Sequence, residues 1–210
     1  MKVGNDANVA ALGEMWKGGG QGNKDLIMVT LGTGVGGGII VDGRILGGFH
    51  GAGGEIGHLC VNYEETEVCG CGGRGCLEQY ASATGIVRVA QRTLAATDEQ
   101  TVLRKFTKLS AKNVLDAFKE GDKVACDVMA QVGEMLGGTL AMFACVTDPE
   151  AIVIGGGVSK AGQPLIDCIQ KYYEKYALQH ARKHRSFLQL SEMMQVFTDL
   201  RVWLLKKYNI

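Results

Sequence analysis

The sequence predicts a mixed α/β fold that carries a structural zinc loop. Two short apolar runs, Leu26–Leu31 and Ala151–Ile154, each open into a run of glycines. Between and after them lie longer segments with apolar residues at helical spacing, the alternation expected of helices laid on a sheet. Cysteines at Cys69, Cys71 and Cys76 follow His58 on a glycine-rich stretch, and that residue set at that spacing suits a closed tetrahedral zinc site.

Taken in order, Asp6 to Met15 reads as a helix with Val9, Leu12 and Trp16 on one face, stopped by Gly18-Gly19-Gly20. The apolar run Leu26–Leu31 is a strand, Gly32-Thr33-Gly34-Val35-Gly36-Gly37-Gly38 a glycine loop, and Ile39–Val41 a second strand. Asp42-Gly43 is a hairpin-type turn. Gly47 to Gly57 is a long glycine-rich loop leading to the cysteines. Helices are expected near Tyr80 to Ala95, Ala111 to Lys119 and Lys123 to Val146. The last of these carries a stripe of Val124, Val128, Val132, Met135, Leu136, Leu140 and Phe143 that reads as core. Asp148-Pro149 ends it, Ala151–Ile154 is a buried strand, Gly155-Gly156-Gly157 follows, and a final helix runs from about Pro164 to Leu178.

The chemistry concentrates around the cysteines. A disulfide fits poorly, since seven cysteines is an odd count and no secretory leader precedes them. His58, Cys69, Cys71 and Cys76 complete a four-ligand set, which leaves no open position for water and makes the metal structural. Glu55 lies three residues before His58 and Glu78 two residues after Cys76. Two carboxylates and an imidazole around one pocket suit a polyhydroxylated ligand, while each glutamate alone is equally at home as a solvated loop charge.

The loop Gly32-Thr33-Gly34-Val35-Gly36 joins two strands, so it is neither a dinucleotide fingerprint nor a P-loop, both of which run into a helix. Its backbone can still wrap phosphate oxygens, or simply turn. Gly155, Gly156 and Gly157 follow the carboxyl end of a buried strand, where α/β sheets place nucleotides. Together the two loops point to an ATP cleft. Asp6 opens the first helix and is open to two readings, a helix cap or a general base.

With 22 Lys+Arg against 22 Asp+Glu, no global field favours nucleic acid or a membrane. No apolar run is expected to span a bilayer, and the cysteine usage fits a reducing cytoplasm.

These motifs together resemble the bacterial ROK family (repressor, open reading frame, kinase), most closely its glucokinases. The resemblance rests on Asn5-Asp-Ala-Asn-Val-Ala-Ala-Leu-Gly-Glu14, the Leu31–Gly38 loop, Gly54-Glu-Ile-Gly-His58, the cysteine motif and Ile152-Val-Ile-Gly-Gly-Gly-Val-Ser159. It implies the actin-like ATPase (ribonuclease H-like) fold, mainly its second lobe. Asp6 matches the catalytic base, and Asn5, Glu55, His58 and Glu78 match sugar-binding positions. Gly32, Thr33, Gly34 and Gly36 match a phosphate loop, and Gly155 to Gly157 an adenosine loop. His58, Cys69, Cys71 and Cys76 match zinc ligands. The implied reaction moves the γ-phosphoryl group of Mg2+-bound ATP to O6 of glucose or a related hexose, a glycolytic step, in a homo-oligomer. Family members also include sugar-responsive repressors with an added helix-turn-helix, which would bring nucleic acid in as a partner, and kinases of N-acetylated hexosamines.

Two departures from the family are expected to matter. Family members begin with a lobe of about a hundred residues carrying an Asp-x-Gly-x-Thr loop. This sequence starts just before the catalytic aspartate, with Gly4 where Glu is expected. Residues 1–185 therefore read as a ROK kinase domain without its first lobe, with little or no kinase activity of its own. Residues 186–210 depart from the family pattern. Met193-Met194-Gln195 requires ATG-ATG-CAR codons, which spell the family's Asp-Ala in another frame, so a frameshift between about Lys183 and Ser191 is the expectation.

Overall fold

The structure, a computed structural model, describes residues 6–179 and 188–191. Asn5 and most of the 186–210 segment lie outside the described residues.

Five strands form one mixed sheet in the order β3-β2-β1-β4-β5: β1 Leu26–Leu31, β2 Val35–Val41, β3 Arg44–Ile45, β4 Ala151–Gly155 and β5 Leu188–Leu190. The first three pair antiparallel, while β4 runs parallel to both β1 and β5. Asp42 and Gly43 sit at φ 50° and 72°, the left-handed pair that a tight hairpin between β2 and β3 requires. β5 falls inside the segment read as an aberrant tail, and Leu188 is buried against the core.

β2 begins at Val35 rather than Ile39, so Gly36, Gly37 and Gly38 belong to a strand and not to the glycine loop expected there. The reason is the packing of helix α1 (Asp6–Lys17) across it. A Cβ on Gly38 would come 2.6 Å from the Ala11 Cβ, and one on Gly36 would come 3.2 Å from the Ala7 Cβ. This close approach also corrects the face expected of α1. Ala7, Ala10 and Ala11 are turned inward, while Leu12 and Trp16 are more than a third exposed. A bare strand selects the face with the smallest side chains.

On the other side of the sheet lie α3 (Ala83–Ala96), α4 (Ala111–Lys119), α5 (Lys123–Thr147) and α6 (Gln163–Tyr176). The expected helix near Tyr80 to Ala95 is two pieces, α2 (Glu78–Ala81) and α3. Ser82 breaks them with an extended ψ of 166° and caps α3 through the Gly85 amide. In α5 the predicted stripe is buried at Val124, Val128, Val132, Leu136 and Leu140, with Met135 and Phe143 packed at its edge. Contrary to the expectation from the sequence, α5 is long and apolar enough to cross a membrane, by length and composition. Here its apolar face is core, packed with Ile27, Val29, Ile86, Val89, Ile152 and Ile169.

Candidate active site and metal centre

Parallel pairing of β1 and β4 places Thr30 opposite Gly155, which brings the carboxyl ends of both strands together. Such ends are where open α/β sheets form their ligand crevices. A cleft of about 350 Å³ opens there, lined by Asp6, Thr30, Gly32, Thr33, Gly34, Val35, Gly36, Glu78 and Gly156. Gly156 sits at φ 90°, and a Cβ there would come 2.5 Å from the Leu31 carbonyl oxygen. Only glycine lets the second loop close so tightly on the first.

Asp6 is the exposed first residue of α1, and its Oδ1 accepts the Ala7 amide at 2.8 Å. It therefore satisfies its own helix end while lining the cleft. Glu78, the half-buried first residue of α2, accepts the Val35 amide through Oε2 at 3.0 Å. Its Oε1 stands 3.9 Å from the Cys69 thiol. Glu55 precedes and His58 ends a single 3-10 turn, Ile56–His58, and both are exposed.

The expected metal ligands converge. Ligand atoms of His58, Cys69, Cys71 and Cys76 all lie within 4.8 Å of one another. The Cys71 and Cys76 sulfurs are 3.6 Å apart, and Cys69 Sγ is 3.8 Å from His58 Nδ1. Thiolates bound at about 2.3 Å to one tetrahedral zinc stand about 3.8 Å apart, so the residues fit such an ion. Burial pushes the Cys76 thiol up to about 12, reinforced by the Cys71 and Cys69 thiols. The Gly73 amide, followed by Cys76, pulls Cys71 down. A cation bound among these sulfurs would offset the cost of burying them as thiolates. With Nδ1 toward the sulfurs, the Nε2 edge of His58 has no hydrogen-bond partner among the described residues.

The loop around the cluster is held by groups that no local spacing announces. Glu65 is buried and accepts hydrogen bonds from Tyr80 Oη at 2.6 Å, Arg88 Nη2 at 2.5 Å and Arg92 Nη1 at 2.9 Å. The Arg92 guanidinium holds the Glu65 carboxyl well below the usual carboxylate range, against the opposing pull of burial. This ties the loop before Cys69 to α3. The only sequence trace is the i, i+4 pair of arginines, which names no partner.

The glycines assigned to nucleotide binding divide. Gly32, Gly34 and Gly156 line the cleft with Thr33. Gly36 also lines it, while a Cβ there would strike Thr30 Oγ1 of β1 at 2.6 Å and approach the Ala7 Cβ of α1 at 3.2 Å, so packing against strand and helix already accounts for that glycine. Gly155 is the buried last residue of β4. Gly157 lines a second cavity of about 350 Å³ with Ala83, Leu115, Val158 and the rim lysines Lys112, Lys119 and Lys160. That cavity, apolar within and rimmed by these lysines together with Asp116, which pairs with Lys112 and Lys119, was not foreseen from the sequence.

The chain matches the ROK family over residues 1–195. It is 49% identical over 179 residues to a glucokinase of Halalkalibacterium halodurans, covering 84% of this chain and 54% of that protein. A solved ROK family glucokinase from Streptomyces griseus, in complex with glucose and AMPPNP, gives a TM-score of 0.81 at 36% identity. That match covers 91% of this chain and 63% of that one. A solved ROK family transcriptional regulator, homologous to the E. coli MLC protein, gives 0.80 at 31% identity, over 94% of this chain and 50% of the other. The chain spans about half the length of the curated relatives it matches.

Proposed function

The chain belongs to the ROK family, and we propose that the protein phosphorylates a hexose, glucose first among them, at its 6-hydroxyl with Mg2+-bound ATP. The observation that carries this reading is the cleft itself. Asp6, the Gly32–Gly34 turn, Glu78 and Gly156 are remote in sequence and line one cavity. Asp6 is the base that takes the hydroxyl proton. Glu55, His58 and Glu78, with Asn5 by resemblance, hold the sugar hydroxyls. The Gly32–Gly34 turn faces the phosphates, and Gly155 to Gly157 lead to the cavity beside Lys112 and Lys160, whose apolar floor suits a nucleoside base. Mg2+ would neutralise phosphate charge when bound, and the rest of such a transfer is positioning. Zinc at His58, Cys69, Cys71 and Cys76 would be structural, fixing His58 and Glu78 in relation to one another.

Calorimetry on the 210-residue chain tests the reading, with glucose, then N-acetylmannosamine as competitor, then Mg2+ with a non-hydrolysable ATP analogue. Saturable binding of glucose and of the analogue supports a kinase. Preference for the N-acetylated sugar changes the substrate and keeps the reaction class. Sugar binding with no nucleotide binding favours the repressor reading, which the likeness to a transcriptional regulator at 31% identity keeps in view. In the intact protein, an Asp6→Asn substitution is expected to lower transfer by about 10²–10⁴-fold, the usual contribution of a general base, with both affinities unchanged.

A further inference from the structure

The Gly32–Gly34 turn is gripped from one side by Ala83 and Thr84, and nothing above assigns Thr84 a role in binding. Its Gly32 carbonyl accepts the Ala83 amide at 2.8 Å. Its Thr33 carbonyl accepts the Thr84 hydroxyl at 3.0 Å. Its Gly34 carbonyl accepts the Gly32 amide at 2.9 Å within the turn. The Val35 amide, just beyond, goes to Glu78 Oε2. All three carbonyls of the turn are thus occupied. Among the described residues, the Thr33 and Gly34 amides have no protein acceptor.

A backbone turn binds an anion only when it presents N–H groups and keeps its carbonyl oxygens away. Two of the three carbonyl contacts are backbone to backbone. The third depends on a side chain, Thr84, and 51 residues separate it from its acceptor. Beside it, the Ser82 hydroxyl donates to the Glu78 main-chain carbonyl at 2.6 Å. Residues 82–84 therefore anchor to the Glu78 main chain at one end and to the turn at Thr33 at the other.

We propose that Thr84 is a positioning residue for the nucleotide phosphates: by occupying the Thr33 carbonyl it turns the Gly32–Gly34 loop so that amides, not carbonyl oxygens, face the cleft. The inference rests on the kinase reading for what binds there, and on the hydrogen bonds alone for the state of the loop.

The test uses Thr84→Val, which removes the hydroxyl at nearly constant shape, and Thr84→Ser, which keeps it. Two readouts are compared in the 210-residue chain. The first is backbone hydrogen exchange of the peptide spanning Thr30 to Val35. The second is affinity for Mg2+ with a non-hydrolysable ATP analogue, set against affinity for glucose. Thr84→Val should speed exchange of the turn and weaken the analogue about fivefold, the effect of losing one hydrogen bond. Glucose affinity should stay level, and Thr84→Ser should restore both changes. A purely structural role would weaken both ligands together and would lower the unfolding temperature in proportion. If exchange of the turn in Thr84→Val equals that of the parent chain, the proposal is overturned. If the parent binds no nucleotide, exchange alone decides whether Thr84 fixes the loop.

Discussion

The helical layer behind the sheet and the loop region in front of it are held by different physics. Behind the sheet, α3 to α6 bury a continuous apolar cluster in which Leu136, Ile86, Ile169 and Tyr173 are fully or almost fully shielded. Stability there is spread over many side chains, each contributing roughly 1.5–3 kcal/mol on burial. In front, residues 47–77 contain little regular structure, and a few specific groups gather there: four side chains placed to hold a metal ion, one buried carboxylate and its two arginines. The first region is redundant and the second is not. Substitutions in front should therefore act locally and severely on ligands, while those behind should act globally and leave ligand geometry alone.

The largest effect is expected at the metal centre. Replacing the buried Cys76 with Ser should reduce bound zinc from one equivalent to near none, as read by elemental analysis. Structural zinc contributes about 10–16 kcal/mol in small peptide sites, far more than any single contact in this loop. Hexose binding should vanish, and hydrogen exchange should rise through residues 59–78 while the helical circular dichroism is kept. A Cys76→Ser chain that retained a full equivalent of zinc would break the contrast between the regions.

Next come two substitutions of similar size and opposite character. Leu136→Ala leaves a cavity in the middle of α5 and should cost about 3 kcal/mol of global stability, as large-to-small core changes do. Glu65→Ala strands Arg88 and Arg92 and should also cost about 3 kcal/mol, but with a pH signature. The Glu65 carboxyl is held well below its usual value of 4.5, chiefly by Arg92. Its stabilisation is therefore complete above about 4.5, the unfolded value, and fades as pH falls below that toward the folded one. Denaturant midpoints between pH 3 and 7 should fall on acidification in the parent and fall less steeply in Glu65→Gln. Equal slopes would remove Glu65 from the account.

The same division explains what could be read in the sequence. α4 and α5 were legible almost to the residue because an apolar period of 3.6 needs only local information. The convergence of His58, Cys69, Cys71 and Cys76 was legible because a tight cluster requires short spacing. The inward face of α1 was misread because Leu12 and Trp16 outweigh alanine in any local count. What decides that face is the bare strand at Gly36 and Gly38, which lies across the helix rather than next to it in sequence. Glu65 with its arginines, and Thr84 with Thr33, pair across 23 to 51 residues, and no spacing rule reaches that far.

Gly38→Ala probes the α1 contact directly. The new methyl would lie 2.6 Å from the Ala11 Cβ and 2.9 Å from the Ala7 carbonyl oxygen, so the helix must move outward and carry Asp6 with it. Overpacking of this kind costs roughly 1–3 kcal/mol. Thermal unfolding should show that loss, and a neutral result would mean that α1 is free to slide.

The smallest effect is expected where α5 ends, and it is the sharpest test of independence between the two regions. Asp148 closes the helix at φ 40°, ψ 60° and donates its amide to the Ala144 carbonyl at 3.0 Å. That left-handed conformation costs a side chain about 1–2 kcal/mol, less for Asp than for most residues. The following Pro149 adds its own steric restriction on the residue before it. Asp148→Gly relieves this strain and loses part of the gain to the greater freedom of glycine in the unfolded chain. The net should be a stabilisation of about 0.5 kcal/mol or less, read as a slightly higher denaturant midpoint. Zinc content and affinities for glucose and nucleotide should not change at all. If so small a change at the far end of the helical layer altered ligand binding, the layer would be transmitting strain into the cleft, and the separation of a redundant scaffold from a specified site would not hold.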